Sequence, residues 1–207
     1  MPSSSQWIAF LVASILFIQV PGPSLLFTIG RALTVGRREA LLSVIGNAIG
    51  LLAQVSLVAL GLGAVVAASA TAYTAIKMIG AGYVIWLGVQ AIRHRSDARR
   101  AMADAAPVRR GHPVRIGFTV GATNPKTIVF FVAFLPQFTD PTGPVALQTV
   151  VLGLVFGLLA AASDSIWALA AGAARSWFAS RPTRLDALSA TGGTMMIGLG
   201  ATMLTVE

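Results

Sequence analysis

The stretch "QVPGPSLLF", Gln19–Phe27, decides how this chain folds. It lies within an apolar run that carries no charged side chain from Met1 to Gly30. Pro21 and Pro23 lack amide hydrogens and disturb the preceding turn, while Gly22 permits torsions closed to other residues. A helix crossing here must break. The break leaves carbonyls before it and amides after it without helical partners. Lipid cannot satisfy them, so they must face protein or a water-filled cavity. The amides near Ser24 form a new helix N-terminus, which attracts carboxylates. The plainer alternative is a proline kink that only shapes packing.

Composition places the break in a membrane. The chain has 207 residues, 56% hydrophobic and 11% charged. Its mean hydropathy is +0.79, whereas a soluble domain is nearer a quarter charged. An all-α integral membrane protein of one domain, residues 1–207, is expected. The net charge of +8 could suggest nucleic acid. The basic residues fall between apolar runs, however, so a topology signal explains them better and no nucleic-acid partner is expected. The chain has no cysteine, which excludes disulfides and thiol catalysis. "MPSSSQW" has no basic n-region, so the first run reads as a span rather than a signal peptide.

Charges divide the chain into six expected spans. The first is about Gln6–Gly30, followed by Arg31, Arg37 and Arg38 in a loop. The second starts at Ala40 and turns around Ala67–Thr74. The third contains Lys77 and ends near Ile92. The fourth, about Ile116–Phe138, contains Lys126, and the fifth, about Val145–Ala173, contains Asp164. Arg175, Arg181 and Arg184 are read as a loop before a sixth span at about Leu188–Val206. The first loop carries three Arg, the third seven between Arg93 and Arg115, and the fifth three, while the second and fourth carry none. That alternation predicts cytoplasmic odd loops and both termini outside. The Arg-rich loop at about 94–112 would meet anionic lipid headgroups.

Three spans per half means the halves enter the membrane from opposite sides. "VPGPSLLFTI" in the first span is echoed by "TNPKTIVFFV", Thr123–Val132, in the fourth. "GNAIG" at Gly46–Gly50 is echoed by "GLVFG" at Gly153–Gly157. Two inverted three-helix repeats, about 6–93 and 113–206, with broken first and fourth helices, are therefore expected. Such paired breaks point to a transporter's binding site. Pro21, Gly22, Pro23, Ser24, Asn124, Pro125 and Lys126 would line it, with amides and Lys126 for a carboxylate and carbonyls and an acid for an ammonium.

Ionisable residues at depth cost about 3 kcal/mol on insertion scales, so they usually have a partner and a role. Lys126 lies mid-span. Lys77 either joins the site or snorkels to the outer surface. Asp164 is either buried or at the cytoplasmic edge, with "SIWALAAGAA" continuing apolar after it. A buried Asp164 must be protonated or paired, with Lys126 or Lys77 as the available cations, and could exchange a proton for a substrate ammonium. Asn47, within "GNAIG", could hydrogen-bond across helices. The GxxxG motifs, Gly117–Gly121 included, allow close helix approach within one chain or between copies, so a homo-oligomer stays open. The two histidines, His94 and His112, sit in the Arg-rich loop. There is no metal-ligand cluster and no P-loop, so no cofactor and no enzyme activity are expected.

Taken together, these residues resemble the LysE/RhtB amino-acid exporters over nearly the whole chain. The resemblance rests on "PGP" at Pro21–Pro23, "GNAIG", "KMIGAGYVIWLG" at Lys77–Gly88, "GFTVGATNPKTIVFF" at Gly117–Phe131 and "LPQF" at Leu135–Phe138. Val84 stands where that family usually has leucine. The resemblance implies efflux of amino acids or derivatives across a bacterial inner membrane, driven by the proton gradient, with amino acid, proton and lipid as partners. It also implies that Pro21, Gly22, Pro23, Asn124, Pro125 and Lys126 belong to the functional core. The alternative from another class is a channel or structural membrane component without coupled transport.

Overall fold

The computed structural model describes residues 1–20, 22–68, 70–96, 111–140, 142–181 and 183–205. Pro21 and most of the Arg-rich loop lie outside them. Among the described residues all regular structure is helical. Helix α1 is Ser4–Gln19, opened by a capping box between Ser3 and Gln6. Helix α2, Pro23–Thr34, begins with proline at its first position, where the missing amide costs nothing. The axes of α1 and α2 differ by 51°. Helix α3 is Arg37–Ala68, and one residue later α4 runs over Ala70–Arg93. Helix α5 is Pro113–Ala122. The chain bends by 45° into α6, Pro125–Val129, which continues as a π-helical turn at Phe130–Phe134 and a 3-10 turn at Leu135–Phe138. Helix α7 is Val145–Ser180 and α8 is Thr183–Thr205.

Parts of α3, α4 and α7 are each long and apolar enough to cross a membrane, and the two bent pairs qualify as well, which gives up to five crossings. The expected sixth, now α8, is not among them. Its 23 residues (Thr183–Thr205) are rich in Gly, Ser and Thr. Glycine serves packing here: a Cβ on Gly88 or Gly193 would lie 2.5 Å from the other's carbonyl oxygen, so α4 and α8 touch through their backbones.

Several expected loops are shorter than the charges suggest. Helix α2 runs on to Thr34, so Arg31 lies in its last turn and is 1% exposed rather than in a loop. Gly36, at φ +96°, makes the sharp turn into α3 that this requires. Arg175 falls inside α7 and Arg184 in the first turn of α8, not in a loop. Where a turn was expected around Ala67–Thr74, α3 runs to Ala68 and α4 already starts at Ala70. Helix α7, with 36 residues, is about 54 Å long at 1.5 Å per residue, so it overruns a ~30 Å hydrocarbon core.

The glycine motifs pack within the chain. Gly46 and Gly50 of α3 face Val114, Phe118 and Ala122 of α5, while Gly117 and Gly121 of α5 face Ser43 and Asn47 of α3. At each of the four an added Cβ would meet backbone. Beside this crossing lies an aromatic core. Phe17 of α1, Phe130 and Phe134 of the π-turn and Phe156 of α7 pack with Phe17–Phe130 centroids 4.5 Å apart and Phe130–Phe156 4.7 Å apart. At one end of the molecule Gln148 ties the Thr139–Pro144 turn to α7. It accepts from the Asp140 amide at 2.8 Å and donates to the Asp140 carbonyl at 3.0 Å. Hydrogen bonds from Thr142 to Asp140 hold this half-buried carboxyl below its ordinary pKa.

Candidate functional site

The two breaks meet at one cavity. Its lining includes Val20, Gly22 and Ser24 from the first break, Asn124, Lys126 and Thr127 from the second, Asn47 and Leu51 from α3, and Phe156 and Asp164 from α7. It measures about 40 Å3, room for about three waters. An amino acid enters only if the surrounding helices part.

The first break is satisfied by a lysine. Lys126 Nζ donates to the carbonyls of Phe17 at 2.6 Å and Val20 at 2.7 Å at the end of α1, where the Phe17 carbonyl also accepts from the Val20 amide at 3.3 Å. It also lies 4.6 Å from the centroid of the Phe17 ring. Gly22 leaves room for the lysine stem, since a Cβ there would lie 3.1 Å from Lys126 Cδ. The second break is satisfied by an amide. Gln54 Nε2 donates to the carbonyls of Gly121 at 2.8 Å and Ala122 at 3.1 Å, capping α5. Thr127 Oγ1 donates to Gln54 Oε1 at 2.9 Å and fixes the orientation of that amide. Asn124 caps the next helix by accepting from the Lys126 amide at 3.1 Å.

Asp164 is 5% exposed and lies well inside α7. Its Oδ2 accepts from Ser24 Oγ at 3.0 Å and from Asn47 Nδ2 at 3.2 Å, and Asn47 Nδ2 also donates to Ser24 Oγ at 2.7 Å. Lys126, one of the two cations expected to partner Asp164, acts on it through space without a direct ion pair among the described residues. The reason is geometric, because Lys126 is drawn to the α1 carbonyls. Lys77 is half-buried on α4 and does not line the cavity. Pro23 and Pro125 are exposed first residues of their helices, and Pro21 lies outside the described residues.

The structure thus brings Gly22, Ser24, Asn47, Asn124, Lys126 and Asp164 to one place and leaves Lys77 apart. Reading the sequence left Gln54 as an amide that packs helices together and missed Thr127 and the aromatic wall. The signal for Gln54 was a lone amide in an apolar helix facing a proline break. With a cation and an acid lining one cavity, the site suits a small zwitterion. No group of three or more metal-ligating side chains occurs among the described residues.

Comparison with known proteins identifies the group to which this architecture belongs. The model of the LysE type translocator family matches residues 15–207. The chain belongs to that family. It is therefore a translocator rather than an enzyme. An uncharacterized membrane protein of Vibrio cholerae serotype O1 is 36% identical over 202 residues, covering 97% of both chains. A homoserine/homoserine lactone efflux protein of Salmonella typhimurium is 32% identical over 201 residues, again 97% of both. A leucine efflux protein of Klebsiella pneumoniae is 27% identical over 134 residues, 65% of this chain and 63% of the relative. No solved structure matches the chain.

Proposed function

We propose that this LysE-type translocator exports amino acids or amino-acid derivatives from the cytoplasm by proton antiport. The observation that carries the reading is the cavity where two broken helices, Lys126 and Asp164 converge. An ammonium has three donors and two of those on Lys126 are engaged, so one is left for a substrate carboxylate. Both hydrogen bonds to Asp164 fall on Oδ2, leaving Oδ1 for an ammonium or a proton. Protonation of Asp164 releases the ammonium, and loss of the proton recovers the site. The relatives named for homoserine, homoserine lactone and leucine efflux supply the solute class.

The same reading takes the chain as six crossings in two inverted repeats, about 6–93 and 113–206, in a bacterial inner membrane with both termini outside. The two bent pairs and the alternation of arginine between the apolar runs of the sequence support it. Substrate crosses by alternating access, and the Phe17–Phe130–Phe134–Phe156 wall closes the outer side of the cavity. Counterflow tests this. Purified protein in liposomes preloaded with unlabelled L-homoserine or L-leucine should draw in the labelled form transiently. A current without exchange would favour a channel, and loss of either solute to a product would favour an enzyme.

A further inference from the structure

The end of α2 holds a cation that the cavity does not use. Ser24, Thr28 and Arg31 lie on one face of α2 at i, i+4 and i+7. Ser24 lines the cavity, while Thr28 and Arg31 are buried beyond it, toward the end of α2 that meets α3. Helix α3 runs back from that end with Ala40, Ser43 and Asn47 buried, and α7 faces it with Asp164, Ala168 and Ala171 buried. Three layers thus lead away from the cavity. Ala32, Ala40, Ala168 and Ala171 close the last of them with methyl groups.

Within this column the hydrogen-bonding is unfinished. Arg31 Nε and Nη1 and Thr28 Oγ1 are buried without partners. Arg31 Nη2 lies 4.0 Å from Glu39 Oε2, too far for a hydrogen bond, and the side chains are 2% and 38% exposed. The Phe27 ring is 5.8 Å from the guanidinium. A guanidinium cannot shed its proton to relieve such burial. Its planar fork of donors matches a carboxylate.

We propose that Arg31 is a second, cytoplasmic-side site for the carboxylate of the transported solute, reached before the Lys126–Asp164 cavity. Glu39, half in solvent, holds the guanidinium between loads and is displaced by the incoming carboxylate. The alanine layer parts to let the solute on toward Ser24. This rests on the reading of the chain as an exporter, and it adds the order of events on the loading side.

Everted membrane vesicles, which expose the cytoplasmic face, test it with two probe pairs: L-homoserine with L-homoserine lactone, and L-leucine with L-leucinamide. Only the first of each pair carries a carboxylate. Arg31→Met should raise the KM for the carboxylate probe about tenfold, the scale of a charge-assisted hydrogen bond, and leave the lactone or amide KM within twofold. Arg31→Lys should fall between. Glu39→Gln should lower the KM for the carboxylate probe, because the competing anion is gone. Equal effects on both members of a pair, or no effect, would overturn the site. If Arg31→Met does not fold, Glu39→Gln decides: an unchanged KM with lost thermal stability would make the pair a static brace. A wild-type protein that moves no probe would instead sink the exporter reading.

Discussion

Lys126 acts at one nitrogen on both the α1 carbonyls and the cavity. Lys126→Met keeps the length of the chain and removes the charge. It should weaken binding of carboxylate-bearing solutes by about 2–3 kcal/mol if a desolvated charge-assisted bond is lost. It should also lower thermal stability, because the Val20 carbonyl loses its donor and the Phe17 carbonyl keeps only the Val20 amide. Binding measured by calorimetry on folded variant, with melting followed separately, resolves the two effects. Unchanged affinity alongside a lower melting temperature would leave Lys126 as a cap alone. Lys126 and Asp164 were legible in the sequence because hydrocarbon makes an ionisable side chain conspicuous. Gln54 was not, since an uncharged amide declares itself only when the carbonyls it caps are in view. Arg31 was misplaced because Arg37 and Arg38 follow closely and the extent of α2 to Thr34 was hidden.

The break and the glycine crossing are the elements that hold the cavity in shape. Gly22→Leu would drive a side chain against Lys126 and should abolish export while the protein still inserts and folds. Normal export by that variant would return the break to a packing role. Gly46→Ala and Gly117→Ala place a methyl on the backbone of the facing helix, and overpacking of this kind costs about 1–3 kcal/mol or more. Gly61→Ala has open space around it and should change stability by no more than about 0.5 kcal/mol. Melting of the three variants in one detergent checks the contrast. Equal losses at all three positions would contradict a backbone-to-backbone crossing. The breaks could be read from proline chemistry alone. The partner of each GxxxG could not, because the motif permits contact without naming it. The π-turn at Phe130–Phe134 was also hidden, since it arises where four phenylalanines from three elements must fit together.

Across the whole molecule, the distribution of arginine predicts an orientation with both termini outside. Reporter fusions should place the segment from Arg93 to Arg115 in the cytoplasm. A C-terminal reporter active only in the cytoplasm would contradict the arrangement with both termini outside. Most of the fold class was legible, because apolar runs and their charges follow directly from the bilayer's cost for polar groups. The helix least like a crossing is α8, whose Gly, Ser and Thr dilute its hydropathy while Gly193 and Gly200 pack against α4. The central claim is that one cavity, with Asp164 on its wall, exchanges a proton for an amino acid. Asp164→Asn keeps the size of the side chain and its contacts with Ser24 and Asn47 while it removes the titration. The deciding measurement is transport of L-homoserine or L-leucine by this variant in liposomes, with and without a proton gradient. The account predicts that exchange at equal pH persists and that accumulation driven by the proton gradient disappears. Accumulation against the solute's own gradient, still driven by protons in the asparagine variant, would contradict it.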